Sequence, residues 1–269
     1  MIRDGNNTIY ELPDGIVARI GRTGTSDIAR REVQVSHWLT AEAGIRVVQA
    51  VPGLPQPVVI EDRPVTWWTL IPKHRSGSPA ELGTLLAILH SLPAPTAFEL
   101  PIHDPFHGIS QRLDTTDWLG QADREWFVER LTAVRDDYTG HNHRQSRTVI
   151  HGDAWQGNVA VTEDGHPVLL DLENVALGHP DHDLIDLAVD YLDFARLTQA
   201  DYESFVKAYG GHDVTESPGY RTLADLQELR WLSFVMTKAA DDPAAAEEVR
   251  HRIACLRGEE PRPWTWTAF

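Results

Sequence analysis

Cysteine is nearly absent from the 269-residue chain. Cys255 stands alone, which excludes an internal disulfide and a cysteine-built zinc site and fits a reducing compartment. Long apolar runs are missing too: no stretch reaches the roughly 18 residues of a membrane span. The opening MIRDGNNTIYELPDG lacks the basic-then-apolar layout of a secretory leader, so a cytoplasmic protein without a membrane partner is expected. Positive charge is in short supply. Against 40 Asp+Glu there are 24 Lys+Arg, a net charge of −16 that excludes the basic surface a nucleic acid or an anionic membrane requires. The deficit is uneven: residues 1–75 hold nine basic and eight acidic groups, so residues 76–269 carry −17. What is present is an ordinary 42% of apolar residues, which excludes disorder, collagen and coiled coil.

The turn signal Pro13-Asp14-Gly15 separates two β-type runs, Thr8–Leu12 and Ile16–Ile20, into an expected hairpin. Ser26 or Thr25 can cap a helix reaching about Leu39. Ile28, Val35 and Leu39 share one face of it, and Glu32 falls on that same face. An inward carboxylate is costly unless it meets a cation. Val58–Glu61 and Val65–Ile71 read as further strands, so residues 1–73 form a small lobe of sheet and single helix. The polar stretch Pro72–Pro79 (PKHRSGSP) is the expected boundary. Residues 74–269 then turn mainly helical. Leu82, Leu85, Leu86 and Leu89 keep helical spacing, Asp123–Arg135 and Thr222–Ala240 read as helices, and Thr148–Leu172 interrupts them with short strands.

That interruption, TVIHGDAWQGNVAVTEDGHPVLLDLE, carries the chemistry. An apolar strand delivers His151-Gly152-Asp153, and Asn158 follows Asp153 by five residues. A hairpin then runs from Val159 through the turn Asp164-Gly165 to Leu170 and ends at Asp171, which brings Asn158 and Asp171 side by side. Carboxylate and amide oxygens placed together suit a small hard cation such as Mg²⁺, with phosphate oxygens and water completing its shell. Asp153 can accept a hydrogen bond from an attacking hydroxyl and orient it for phosphoryl transfer. His151 reads as a packed support for the loop rather than a proton shuttle. His141-Asn142-His143 reads as an ordinary polar loop.

The spacing of Asp153, Asn158 and Asp171 resembles the catalytic loop and metal Asp of protein kinases, with His-Gly-Asp for His-Arg-Asp and Asp171-Leu-Glu for Asp-Phe-Gly. In that wording, in Gly178-His-Pro180-Asp-His-Asp183-Leu and in Leu82-Gly83…Leu89-His90, the chain resembles the aminoglycoside phosphotransferase superfamily of small-molecule kinases. The resemblance implies an α+β, two-lobed protein-kinase-like fold with ATP and Mg²⁺ as cofactors. Its N-terminal lobe, residues 1–73, would bind nucleotide; its C-terminal lobe, residues 74–269, would hold the catalytic and acceptor-binding groups. It implies Asp153 as the catalytic group and Asn158 and Asp171 as metal ligands. Arg19 would be the phosphate-binding cation and Glu32 its partner, with Arg22 as the competing cation. The Asp4–Thr8 loop, with Asn6 and Asn7, would cover the nucleotide or be a plain hairpin turn. Thr69 to Ile71 would be the hinge beside adenine.

Asp183, Asp186, Asp190 and Asp193 fall on a second, wholly acidic face of the next helix. Like charges so spaced repel by a few tenths of a kcal/mol per pair. Asp183 is implied to buttress the catalytic loop, which leaves Asp186, Asp190 and Asp193 as expected contacts to a cationic small-molecule substrate or as a solvated face. Phosphorylation of a hydroxyl on an amine-bearing, aminoglycoside-like molecule is the expected activity. A metabolic kinase acting on a sugar, amino acid, choline or nucleoside, and a non-catalytic nucleotide-binding pseudokinase, are the rivals. The tail Trp264 and Trp266 should pack onto the helical lobe, and Cys255 should be a small core residue.

Overall fold

Pro13-Asp14-Gly15 turns the chain between two five-residue strands, β2 (Thr8–Leu12) and β3 (Ile16–Ile20), as a computed structural model that describes residues 3–4, 7–41, 45–141 and 147–269 shows. A short β1 (Arg3–Asp4), β4 (Val58–Ile60) and β5 (Arg63–Thr69) join them in an antiparallel sheet of order β1-β2-β3-β5-β4. Helix α1 (Ser26–Ala41) packs Val33 with Trp68 and Val17 of this sheet and buries Val35, Leu39 and Glu32 as well.

The Pro72–Pro79 stretch is more than a connection. Its centre forms β6 (His74–Ser76), which pairs with β8 (Val159–Thr162), itself the hairpin partner of β9 (Pro167–Leu169). Three exposed polar residues carry no alternation that a sequence reading could detect; their partner strand supplies the structure. The hairpin is also tied to the loop after α1: Leu169 N–H donates to Arg46 O (2.9 Å) and Val48 N–H to Leu169 O (2.8 Å). Helix α2 (Pro79–Ser91) starts at a reciprocal cap. The Ser78 hydroxyl accepts from Glu81 N–H and the Glu81 carboxylate accepts from Ser78 N–H, with Pro79 at the first helical position. Its leucine stripe, Leu82, Leu85, Leu86 and Leu89, is fully buried. Strands β7 (Thr148–Ile150) and β10 (Ala176–Gly178) pair antiparallel beside it.

These elements belong to one compact unit, Met1–Ile102, Thr148–Gly178 and Ser204–Gly211; the second comprises His103–Arg147, His179–Glu203 and His212–Phe269. The second unit is helical. Its elements are α3 (Ile109–Asp114), α4 (Gln121–His141), α5 (Asp181–Leu192), the start of α6 (Gln199–Tyr209), α7 (Tyr220–Met236) and α8 (Pro243–Leu256). Phe127, Leu131, Leu229, Leu232, Val249 and Ile253 form its core. Trp264 and Trp266 are buried and stacked at 5.6 Å, so the tail packs as expected, and Cys255 is buried as well. No described helix is long and apolar enough to cross a membrane. His141-Asn142-His143 lies outside the described side chains.

Candidate active site

β7 ends at Ile150, immediately before the candidate loop His151-Gly152-Asp153. The His151 ring is fully buried, and its Nε2 lies 2.8 Å from Leu170 O; a carbonyl only accepts, so Nε2 carries the proton. The imidazole thus ties the Asp153 loop to the residue before Asp171. Gly152 makes a second tie. It sits at φ +79°, and a Cβ there would stand 2.6 Å from Asn174 O, so only glycine lets the two loops touch. Beyond them Asn158 Nδ2 donates to Asp153 O (2.8 Å) and lies 3.4 Å from Asp153 Oδ2. Leu170 N–H donates to Asn158 O (2.9 Å), the last rung of the hairpin, which sets Asp171 next to Asn158.

Asp171 adopts a left-handed backbone, φ 55° and ψ 62°, which costs a non-glycine residue about 1 kcal/mol or more. Its Oδ1 is buried without a hydrogen-bond partner, 3.6 Å from Arg19 Nη2. Arg19 rises from β3 and is hydrogen-bonded to Glu32 of α1, the partner that the inward carboxylate required. Glu173 Oε2 takes its other arm at 2.6 Å. With its amide oxygen turned to the guanidinium, Asn7 accepts from Arg19 Nε at 3.0 Å. Arg22 is exposed and is not the partner of Glu32.

Burial works against the charge on Arg19, yet Glu32, Glu173 and Asp171 outweigh it and hold the guanidinium above its usual range. Burial pushes the Glu32 carboxyl up to about 7, with Arg19 pulling the other way. Three carboxylates around one guanidinium leave the place net negative.

These groups line a cavity of about 350 Å³. Ile9, Val17, Val48 and Trp68 give it apolar walls; Arg19, Asn158, Asp171 and Glu173 give it a polar lining. Thr69 and Ile71 line the same cavity. Thr69 N–H is engaged with Gln49 O and Leu70 N–H with Gly15 O, each at 2.8 Å. Asn6 lies outside the described residues. Among those described, no three His, Cys, Asp or Glu side chains converge as a self-sufficient metal cage. Hard oxygens from Asn158 and Asp171, one of them unsatisfied, are the partial set a small divalent cation takes when phosphate oxygens and water supply the rest.

The acidic helix face differs from the sequence expectation. Asp190 lies 2.8 Å from Arg196, and Asp193, nearly fully buried, meets Arg221 at 2.9 Å and Arg262 at 2.6 Å. Asp186 is half-buried on the same helix. Spacing along α5 reveals the like charges; arginines arriving from the following loop, α7 and the tail neutralise two of them. Glu173 was the functional candidate that sequence reasoning passed over, though a second carboxylate two residues after Asp171 was its signal.

The sequence profile of the phosphotransferase enzyme family matches residues 5–226. Among curated proteins no sequence matches. Solved structures do. A choline/ethanolamine kinase family protein from Mesorhizobium loti is 18% identical, with 97% of this chain and 88% of that one covered and a TM-score of 0.64. An amicoumacin kinase in complex with AMP-PNP and Ca²⁺ is 13% identical over 97% and 88%, TM-score 0.73. A spectinomycin phosphotransferase in complex with ADP and spectinomycin is 15% identical over 94% and 90%, TM-score 0.56.

Proposed function

Since the chain belongs to the phosphotransferase enzyme family, in the superfamily its motifs resemble, we propose that it transfers the γ-phosphoryl group of ATP to a hydroxyl of a small molecule. The observation that carries this reading is the juxtaposition of Asp153, Asn158 and an Asp171 whose buried oxygen has no hydrogen-bond partner among the described residues, beside a guanidinium in a lined cavity. Asp153 orients the acceptor hydroxyl and takes its proton as the new O–P bond forms and the bond from the γ-phosphorus to the departing ADP breaks. Arg19, steadied by Glu32 and Asn7, grips the nucleotide phosphates with its planar fork. Mg²⁺ held by Asn158 and Asp171 would supply charge neutralisation to those phosphates. Apolar Val17, Val48 and Trp68 face the base, with the Thr69–Ile71 segment as its hinge. We assign this work to the cytoplasm, in keeping with the lone cysteine.

An amine-bearing, antibiotic-like acceptor rests on the −17 of residues 76–269. The guanidinium partners of Asp190 and Asp193 favour the second reading, a metabolic kinase acting on a sugar, amino acid, choline or nucleoside, since those carboxylates are already compensated. The test is ADP release from Mg²⁺·ATP across hydroxylated amines, sugars and nucleosides. At least one acceptor should raise it, and Asp153→Asn should lower that rate by about 10²–10⁴-fold. Equal background rates for both proteins with every acceptor would overturn the reading.

A further inference from the structure

Nine tryptophans occur in the chain, all of them in the described residues, and only Trp155 is exposed, at 50%. It stands two residues after Asp153, where an unburied indole forfeits the stabilisation that the other eight obtain. Its seat is specific. A Cβ on Gly157 would lie 2.1 to 2.5 Å from three carbons of the six-membered ring, so the ring rests on a place that any other residue would fill. Gly157 has no left-handed backbone to explain it; room for the indole is what it provides. Gly157 also lines the nucleotide cavity together with Asn158 and Asp171. The indole therefore leans on the cavity wall with about half of its surface open to solvent.

We propose that Trp155 is the platform on which the acceptor is placed, and that the acceptor is cyclic, a sugar or cyclitol ring whose C–H face stacks on the indole and whose hydroxyl then points to Asp153. This rests on the phosphotransferase reading above and adds the shape of the substrate to it. The electron-rich face of an indole attracts polarised C–H bonds, and its rigid plane offers large contact area at little entropic cost. A flexible carboxylate could attract a cation but would not fix the tilt of a ring. Trp155 thus acts as a specificity-determining residue: it selects rings over acyclic amino alcohols without touching the nucleotide.

The test uses the full chain with Trp155→Leu and Trp155→Phe, and as probes methyl α-glucoside and spectinomycin (cyclic) and choline and ethanolamine (acyclic). The emission of wild type minus that of Trp155→Phe, followed with AMP-PNP present, reports on the indole without turnover. It should change saturably with a cyclic probe and stay flat with the acyclic ones. In ADP release, Trp155→Leu should raise KM for the cyclic acceptor about tenfold, the scale of one aromatic stacking contact, and leave KM for ATP unchanged. Trp155→Phe should restore most of the loss, and unchanged melting curves separate this from misfolding. Saturable emission without any turnover would support the platform and remove the kinase reading. Turnover of a cyclic acceptor with an unchanged KM in Trp155→Leu, emission that no cyclic probe alters, or an equal response to choline would overturn the platform.

Discussion

Arg19 stands among three carboxylates, Glu32, Asp171 and Glu173. In the second unit three guanidinium groups, Arg130, Arg221 and Arg262, face three carboxylates, Asp193, Asp225 and Glu228. Both clusters contain a carboxylate that burial raises, Glu32 to about 7 and Glu228 to about 8. They differ in balance. The second is matched one for one and holds the tail residue Arg262 to α5 and α7, so its charges serve the fold. The first keeps a net negative charge beside a cavity, a state whose electrostatic cost falls when a cation and a phosphate arrive together. The balance of charge within a cluster thus separates one that staples the fold from one that keeps a surplus beside a cavity.

The comparison breaks most sharply at Asp171. Asn tolerates the left-handed backbone and keeps the side-chain size, so Asp171→Asn removes charge alone. Single-turnover phosphoryl transfer should fall by about 10³-fold while the melting temperature stays within a few degrees. A loss of tenfold or less would show that the negative surplus does not serve transfer.

The balanced cluster should respond the opposite way. Arg221→Ala leaves buried Glu228 and Asp193 short of a guanidinium. Because the Arg221 side chain is 41% exposed, the cost is discounted from that of a fully buried pair to about 2–3 kcal/mol, or roughly 5–10 °C in a thermal melt. A melt unchanged from wild type would mean that the cluster staples nothing.

The smallest effect sharpens the pairing of Glu32 with Arg19. As pH falls through about 7, Glu32 takes up a proton and Arg19 loses its main partner. KM for ATP should therefore rise a few-fold from pH 8 to pH 6, by about the free energy of one charge-assisted bond, and Glu32→Gln should be flat across that range. Stability runs the other way. The folded carboxyl lies above its unfolded value of 4.5, so its contribution is whole below 4.5 and is lost as pH rises through 7. Wild type should melt lower at pH 8 than at pH 5 by more than Glu32→Gln does.

How much of this was legible in the sequence depended on how local it was. The β2–β3 hairpin and the leucine stripe of α2 are short-range patterns, and both appear where the pattern places them. The Asp153, Asn158 and Asp171 cluster was visible because one short stretch of chain, the loop after β7 and the hairpin that follows it, holds all of it. Glu32 was visible as an anomaly of periodicity. β6 was hidden because its order comes from Ala160–Thr162, far along the chain. Glu173 was printed in the sequence, but its partner Arg19 lies 154 positions away, and no local pattern reports that. The pairing of Asp190 and Asp193 was hidden for the same reason, since their arginines lie outside the helix whose spacing drew attention to them.

The β8–β9 hairpin is edged by two segments from the early chain, residues 46–48 on one side and His74–Ser76 on the other. This bears on modularity and inheritance. A recombination event that exchanged residues 1–73 with a relative would replace one edge of the hairpin and leave the other behind. The incoming segment would have to match a register it had never met. Residues 1–73 and the hairpin flanked by Asn158 and Asp171 are therefore expected to drift together as one heritable piece, although most of a hundred residues separate them along the chain.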